Sequence, residues 1–188
     1  MGFEIEHDYD AVHSSGQRSY HDIIWLVIHD MESANYNGAA EGVGVWFEQL
    51  RSGASTQFGV DNNSIQQYLG LRTIPWGAPG ANLNGVHIEQ MGVASWTHDQ
   101  WLARAKPTIE RTAWLLGHLH VKLQKNGVNV PLRRLTLADI RAHNHGVVTH
   151  HQITDALPGG SHTDPGPGYP MDYLIKRARY WRYQIERG

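Results

Sequence analysis

The run Ile23-Ile24-Trp25-Leu26-Val27-Ile28 limits the fold of this chain more than any other stretch. It is an unbroken apolar segment, the pattern of a strand buried on both faces of an α/β sheet rather than one with a wet side. His29-Asp30 ends it abruptly. Polar residues just past such a strand point into the crevice where open α/β sheets bind ligands. A lone histidine there reads as a hydrogen-bonded structural residue, so its meaning depends on what the rest of the chain brings to it.

Gly85-Val86-His87-Ile88-Glu89-Gln90-Met91 reads as a second strand with an acid in its later half. Burying a carboxylate costs several kcal/mol unless it is paired or protonated, so Glu89 either faces solvent or has a raised pKa suited to a general base. A third strand signal is the β-branched Val147-Val148-Thr149, which puts His150 at a strand end. The segment from His150 to Gly166 then carries three histidines, Pro158-Gly159-Gly160 and Asp164-Pro165-Gly166, a turn-rich run that folds Asp164 back toward His150. Zinc accepts neutral imidazole nitrogen and carboxylate oxygen, and its catalytic sites usually combine three protein ligands with one open position. His29, His150 and Asp164 supply such a set. The neighbouring His151 is an alternative to His150, and only one of the two should reach a metal.

Helical spacing accounts for much of the remainder. Asn37 to Leu50 carries Ala40, Val43, Phe47 and Leu50 on one stripe, weakened by Gly42 and Gly44. Phe58-Gly59-Val60 and Ser64 to Tyr68 flank a turn and predict a hairpin. Thr97-His98-Asp99-Gln100 resembles a capping box opening a long helix striped by Trp101, Ala105, Ile109, Ala113, Leu116 and Leu123, which Pro107 should kink or restart. Further helices are expected over 136–143 and 171–185, the latter with a basic, solvated face of Lys176, Arg177, Arg179 and Arg182. The expectation is an α/β fold: a single domain over 1–188 with a central mixed β-sheet covered by helices and a zinc site in a cleft at one edge of the sheet.

The strand ending in His29, the strand Val86-His87-Ile88-Glu89 and the segment from Thr149-His150 to His162-Thr163-Asp164-Pro165-Gly166 together resemble the zinc-dependent N-acetylmuramoyl-L-alanine amidases. These are the type 2 amidases related to peptidoglycan recognition proteins. The resemblance covers the whole chain, and the local wording is similar to amidase modules of endolysins from phages of mycobacteria and their relatives. It implies cleavage of the amide between N-acetylmuramic acid and L-alanine in peptidoglycan, with Zn2+ held by His29, His150 and Asp164. It implies Glu89 as the residue that orients and deprotonates the attacking water, and His162 as the donor to the oxyanion. Ile153, three positions after His150, keeps the family register. Gln57 stands where the family often has a histidine and is expected to line the substrate site. Trp76, Asn82 and Asn84 lie in the loop before the glutamate strand and are expected to contact substrate. Other readings are an inactive peptidoglycan-binding module of the same fold, or a zinc peptidase acting on the stem peptide.

Composition narrows the partners. Hydrophobic residues make up 40% and charged residues 18% of 188, a globular balance without linker or repeat. Net charge is -2 with no Lys/Arg cluster standing out, so nucleic acid is a poor partner. The cysteine count is zero, which excludes disulfides and thiolate ligands. No run approaches the roughly 18 apolar residues of a membrane span, and no signal peptide is seen. A monomer is expected, made in the host cytoplasm and acting on the bacterial wall. Most of the 13 histidines must be structural or exposed, since one zinc site uses two or three.

Overall fold

The apolar run becomes β1 (Trp25–Ile28), an interior strand in a five-stranded sheet. The computed structural model describes residues 2–188. The sheet also contains β2 (Phe58–Val60), β3 (Ile65–Gln67), β4 (Gly85–Gln90) and β5 (Gly146–Thr149), in the order β3-β2-β4-β1-β5. β2, β4, β1 and β5 run parallel, and β3 alone is antiparallel, paired with β2 in the expected hairpin. β1 lies between two strands that come later in sequence. Every residue of β1 is buried, as its unbroken apolar run requires.

Alternation along the strands divides the core into two layers. Leu26, Ile28, Val86, Ile88 and Val147 face one side, against Ile109, Leu115, Leu116 and Leu119 of α3 (Lys106–Lys125) and Leu174, Ile175 and Ala178 of α6 (Met171–Arg187). Trp25, Val27 and Val148 face the other, against Ala78 and Ala81 of the loop before β4, Ile140 of α4 (Leu137–Arg141) and Ile153 of α5 (His150–Ala156). Each fully buried large aliphatic side chain contributes about 1.5–3 kcal/mol, so these two layers fix the strand register firmly.

The long striped helix is interrupted where Pro107 required. α2 (His98–Arg104) opens on the Thr97–Gln100 capping box, Ala105 breaks the helical geometry, and α3 restarts with the proline in its first turn. α1 (Ala39–Phe47) stops short of its predicted end, which leaves Leu50 81% exposed rather than in the core. Gly44 is there for packing: a Cβ would collide with the Tyr9 ring, so the amino-terminal segment can lie against the helix. Of the basic residues on α6, Arg177 is held by Glu110, its Nε donating to Oε1 at 2.8 Å.

Arg18 ties the loop before β4 to the body of the protein. Its buried guanidinium donates to the carbonyls of Leu71, Asn82, Leu83 and Gly85 at 2.7–2.9 Å.

Candidate active site

The parallel register lines up the ends of three strands. Ile28 pairs with Ile88 of β4 and with Thr149 of β5, so His29, Glu89 and His150 each occupy the next position along neighbouring chains. The backbone N–H of His29 donates to the Ile88 carbonyl at 2.9 Å, holding that row together. The three side chains open at the carboxyl ends of β4, β1 and β5, the place where α/β sheets gather ligands.

His150 is the first residue of α5 rather than the start of a loop. Thr149 caps that helix, its hydroxyl accepting from the Gln152 N–H while the Gln152 side chain accepts from the Thr149 N–H. The spacing Thr149-x-x-Gln152 is the sequence signal that marks this helix start, and it separates the two adjacent histidines by the helical turn. His150 points inward with 2% exposure, whereas the His151 side chain is 39% exposed and faces Asp155 at 3.5 Å. The backbone N–H of His151 donates to the Asp164 carbonyl at 2.9 Å, which returns the chain to the site. Gly166 completes the return at φ +81°, where a Cβ would strike the Ala94 carbonyl.

The outcome is a tight triad. His150 Nδ1 lies 3.1 Å from Asp164 Oδ1, and His29 Nδ1 lies 3.3 Å from Asp164 Oδ2. All three ligand atoms fall within 4.8 Å of one another. Zinc bonds of about 2.0–2.1 Å in tetrahedral geometry place ligand atoms roughly 3.3 Å apart, so the donor set and its spacing fit that ion. Charge states agree. Burial pushes the Asp164 carboxyl upward, but the imidazoles of His150 and His29 packed against it outweigh that and hold the group ionised. Burial lowers the His150 pKa against the pull of Asp164, favouring the neutral imidazole that a metal requires.

Glu89 stands beside the triad, its Oε1 3.9 Å from His29 Nδ1, and its Oε2 has no partner among the described residues. Burial, then the nearby carboxylates of Asp164 and Asp30, raise its pKa well above the ordinary range. Asp30 is raised to about 7, by burial first and then by Glu32 and Asp164. His162 lies at the mouth with a 60% exposed side chain, stacked on the His150 ring at 4.1 Å and 3.5 Å from Asp164 Oδ1. These residues line one cleft of about 480 Å³.

Three expected substrate contacts are engaged in structural roles instead. Gln57 is fully buried, its Oε1 accepting from the His87 N–H at 2.8 Å and its Nε2 donating to the Thr73 carbonyl at 2.9 Å; it is a core residue, not a cleft residue. Asn82 accepts from the backbone N–H groups of Gly77 and Ala78, and Asn84 donates to the Asp22 carbonyl, so both shape the turn before β4. Trp76 is partly exposed but stacks on His13 at 4.6 Å and donates to Ser15 Oγ. The tryptophan that does line the cleft is Trp46, with Val43 and Phe47 on the same helix and Glu32 nearby. Sequence reasoning placed Val43 and Phe47 on a core stripe and passed over Trp46. A solvent-facing tryptophan next to that stripe was the available signal.

A family model described as N-acetylmuramoyl-L-alanine amidase matches residues 19–167, which spans every element from the first turn before β1 to the return loop of Asp164. The chain belongs to this amidase family. Solved structures share the fold. The Staphylococcus aureus hydrolase AmiA, determined with its ligand, has a TM-score of 0.70 at 19% identity, over 100% of this chain and 87% of that one. A mutant endolysin from Bacillus subtilis gives 0.56 at 16% identity, covering 97% and 99%. The N-acetylmuramoyl-L-alanine amidase LysC from Clostridium intestinale gives 0.56 at 12%, covering 94% and 97%. No curated protein sequence matches significantly. As an amidase of this family the chain hydrolyses the amide between N-acetylmuramic acid and L-alanine in peptidoglycan. Among the described residues no helix is long and apolar enough to cross a membrane.

Proposed function

We propose that His29, His150 and Asp164 hold a zinc ion for this hydrolysis, with Glu89 as general base and His162 as donor to the oxyanion. The observation that carries the reading is the convergence of two imidazole Nδ1 atoms on one ionised carboxylate at 3.1 and 3.3 Å, level with a buried glutamate. Zinc held there supplies Lewis acidity toward the scissile carbonyl and activates water at neutral pH. Glu89, buried beside the triad with Oε2 free of other partners among the described residues, receives the proton of the attacking water and returns it to the leaving amine. His162, exposed at the cleft mouth, donates to the charge that develops on the carbonyl oxygen, a contribution worth about 3 kcal/mol in comparable hydrolases. Trp46 adds apolar surface to the cleft lining.

The reading extends to the biological setting: a single catalytic domain over 1–188, acting as a monomer on the wall, of phage endolysin type. Likeness to a Bacillus subtilis endolysin supports that setting. The experiment is removal of metal. Chelation should abolish release of new L-alanine amino termini from purified walls, and added zinc should restore it. Full activity in metal-stripped protein would sink the zinc assignment.

A further inference from the structure

We infer that His87 is a positioning residue, fixing which nitrogen of His29 faces the metal; the inference rests on His29 being a zinc ligand. His87 sits on β4 opposite Val27, one alternation short of Glu89, and is fully buried. Its Nδ1 lies 2.9 Å from His29 Nε2, and its Nε2 lies 3.4 Å from the Ala81 carbonyl. A carbonyl only accepts, so the single proton of neutral His87 belongs on Nε2, and its Nδ1 presents a lone pair. His29 must then donate from Nε2. Its own lone pair is left on Nδ1, the atom turned toward Asp164.

The ring is closely housed in this relay. A Cβ on Gly77 would lie 2.6 Å from His87 Nδ1 and one on Gly85 would lie 2.6 Å from Nε2, so the two glycines leave the slot that the imidazole occupies. Gln57 Oε1 fixes the His87 backbone from below. The contrast with His150 is informative: its Nε2 is buried and has no partner among the described residues. His29 is thus the ligand whose tautomer the fold dictates, by a chain from Ala81 through His87. Partners of this kind typically carry 10–100-fold in metal affinity.

Two variants separate hydrogen bonding from packing. His87→Asn keeps an acceptor near the Nδ1 position, whereas His87→Leu fills the slot and accepts nothing. In chelator competition for zinc, His87→Asn should stay within about 3-fold of the parent and His87→Leu should fall by roughly 10–100-fold. Leucine binding zinc as tightly as the parent, or asparagine losing as much as leucine, would overturn the role. Parent protein that binds no zinc overturns the ligand assignment, and the relay with it. Should neither variant fold, long-range proton–nitrogen NMR of the zinc-loaded parent decides: a His29 proton on Nε2 is expected, and one on Nδ1 refutes the relay.

Discussion

Replacing His150 or His151 by alanine asks which of two adjacent histidines belongs to the site, and the structure gives each a distinct magnitude. His150 is buried with Nδ1 3.1 Å from Asp164, so it is an inner donor. His151 is 39% exposed and pairs with Asp155 one helical turn on, an interaction worth no more than about 0.5 kcal/mol after solvent screening. A metal that binds only the folded chain stabilises it by RT ln(1 + [L]/Kd), about 4 kcal/mol at free zinc 1,000-fold above Kd. For a chain of this length each kcal/mol moves Tm by about 2–4 °C, so zinc should raise Tm by roughly 8–16 °C. Thermal unfolding with and without zinc reads this directly. His151→Ala should keep the full shift, and His150→Ala should lose nearly all of it. A shift that survives in His150→Ala and vanishes in His151→Ala would refute the geometric argument.

Other outcomes follow from the same contacts. Glu89→Gln should retain zinc but lose turnover by roughly 100- to 10,000-fold, checked by kcat at measured metal content; unchanged kcat would remove Glu89 from the base role. Asp61 is fully buried and accepts from the N–H groups of Gly38, Ala40, Asn63 and Ser64 and from the Ser64 hydroxyl, anchoring the start of α1. Asp61→Ala should cost roughly 3–5 kcal/mol in denaturant unfolding. Burial pushes the Asp61 pKa up, but these hydrogen bonds outweigh it and place the folded value below 3.8. Its stabilisation is therefore complete above that pH and lost as pH falls through the folded value, so the variant should show a flatter acid limb. Arg18→Ala removes the donor shared by four carbonyls and should cost about 3–5 kcal/mol, since each buried acceptor left unpaired loses about 1–3 kcal/mol; a loss below about 1 kcal/mol would show that the loop is held by other contacts.

The sheet was legible because burial on two faces writes itself into composition, as Ile23 to Ile28 shows. Glu89 and His29 were legible for a related reason: a charged or polar residue ending an apolar run is costly unless it has a use. Three of the substrate positions were not. Gln57, Asn82 and Asn84 are polar residues whose partners are distant backbone groups, and a linear pattern does not say whether an amide faces a ligand or a carbonyl. Gln57 is satisfied by residue 87 on one side and residue 73 on the other. The choice of His150 over His151 rests in the sequence on Ile153 and the family register, although the Thr149-x-x-Gln152 box marks a helix start that separates the two by geometry alone. Leu50 fell from the core because the helix unwinds before its stripe is complete.

The shared row of Ile28, Ile88 and Thr149 has a consequence for how the molecule comes into being. β1 is made first yet must receive β4 on one flank and β5 on the other, each arriving across a long crossover, so these pairings are slow, non-local closures. A nascent chain that has not yet emerged past residue 146 holds His29 and Glu89 but not His150 or Asp164. With the proposed ligand set, hydrolytic competence would switch on only after β5 and the return loop of Asp164 have docked, and a resident ion would then clasp the two ends of the chain's longest journey across the sheet.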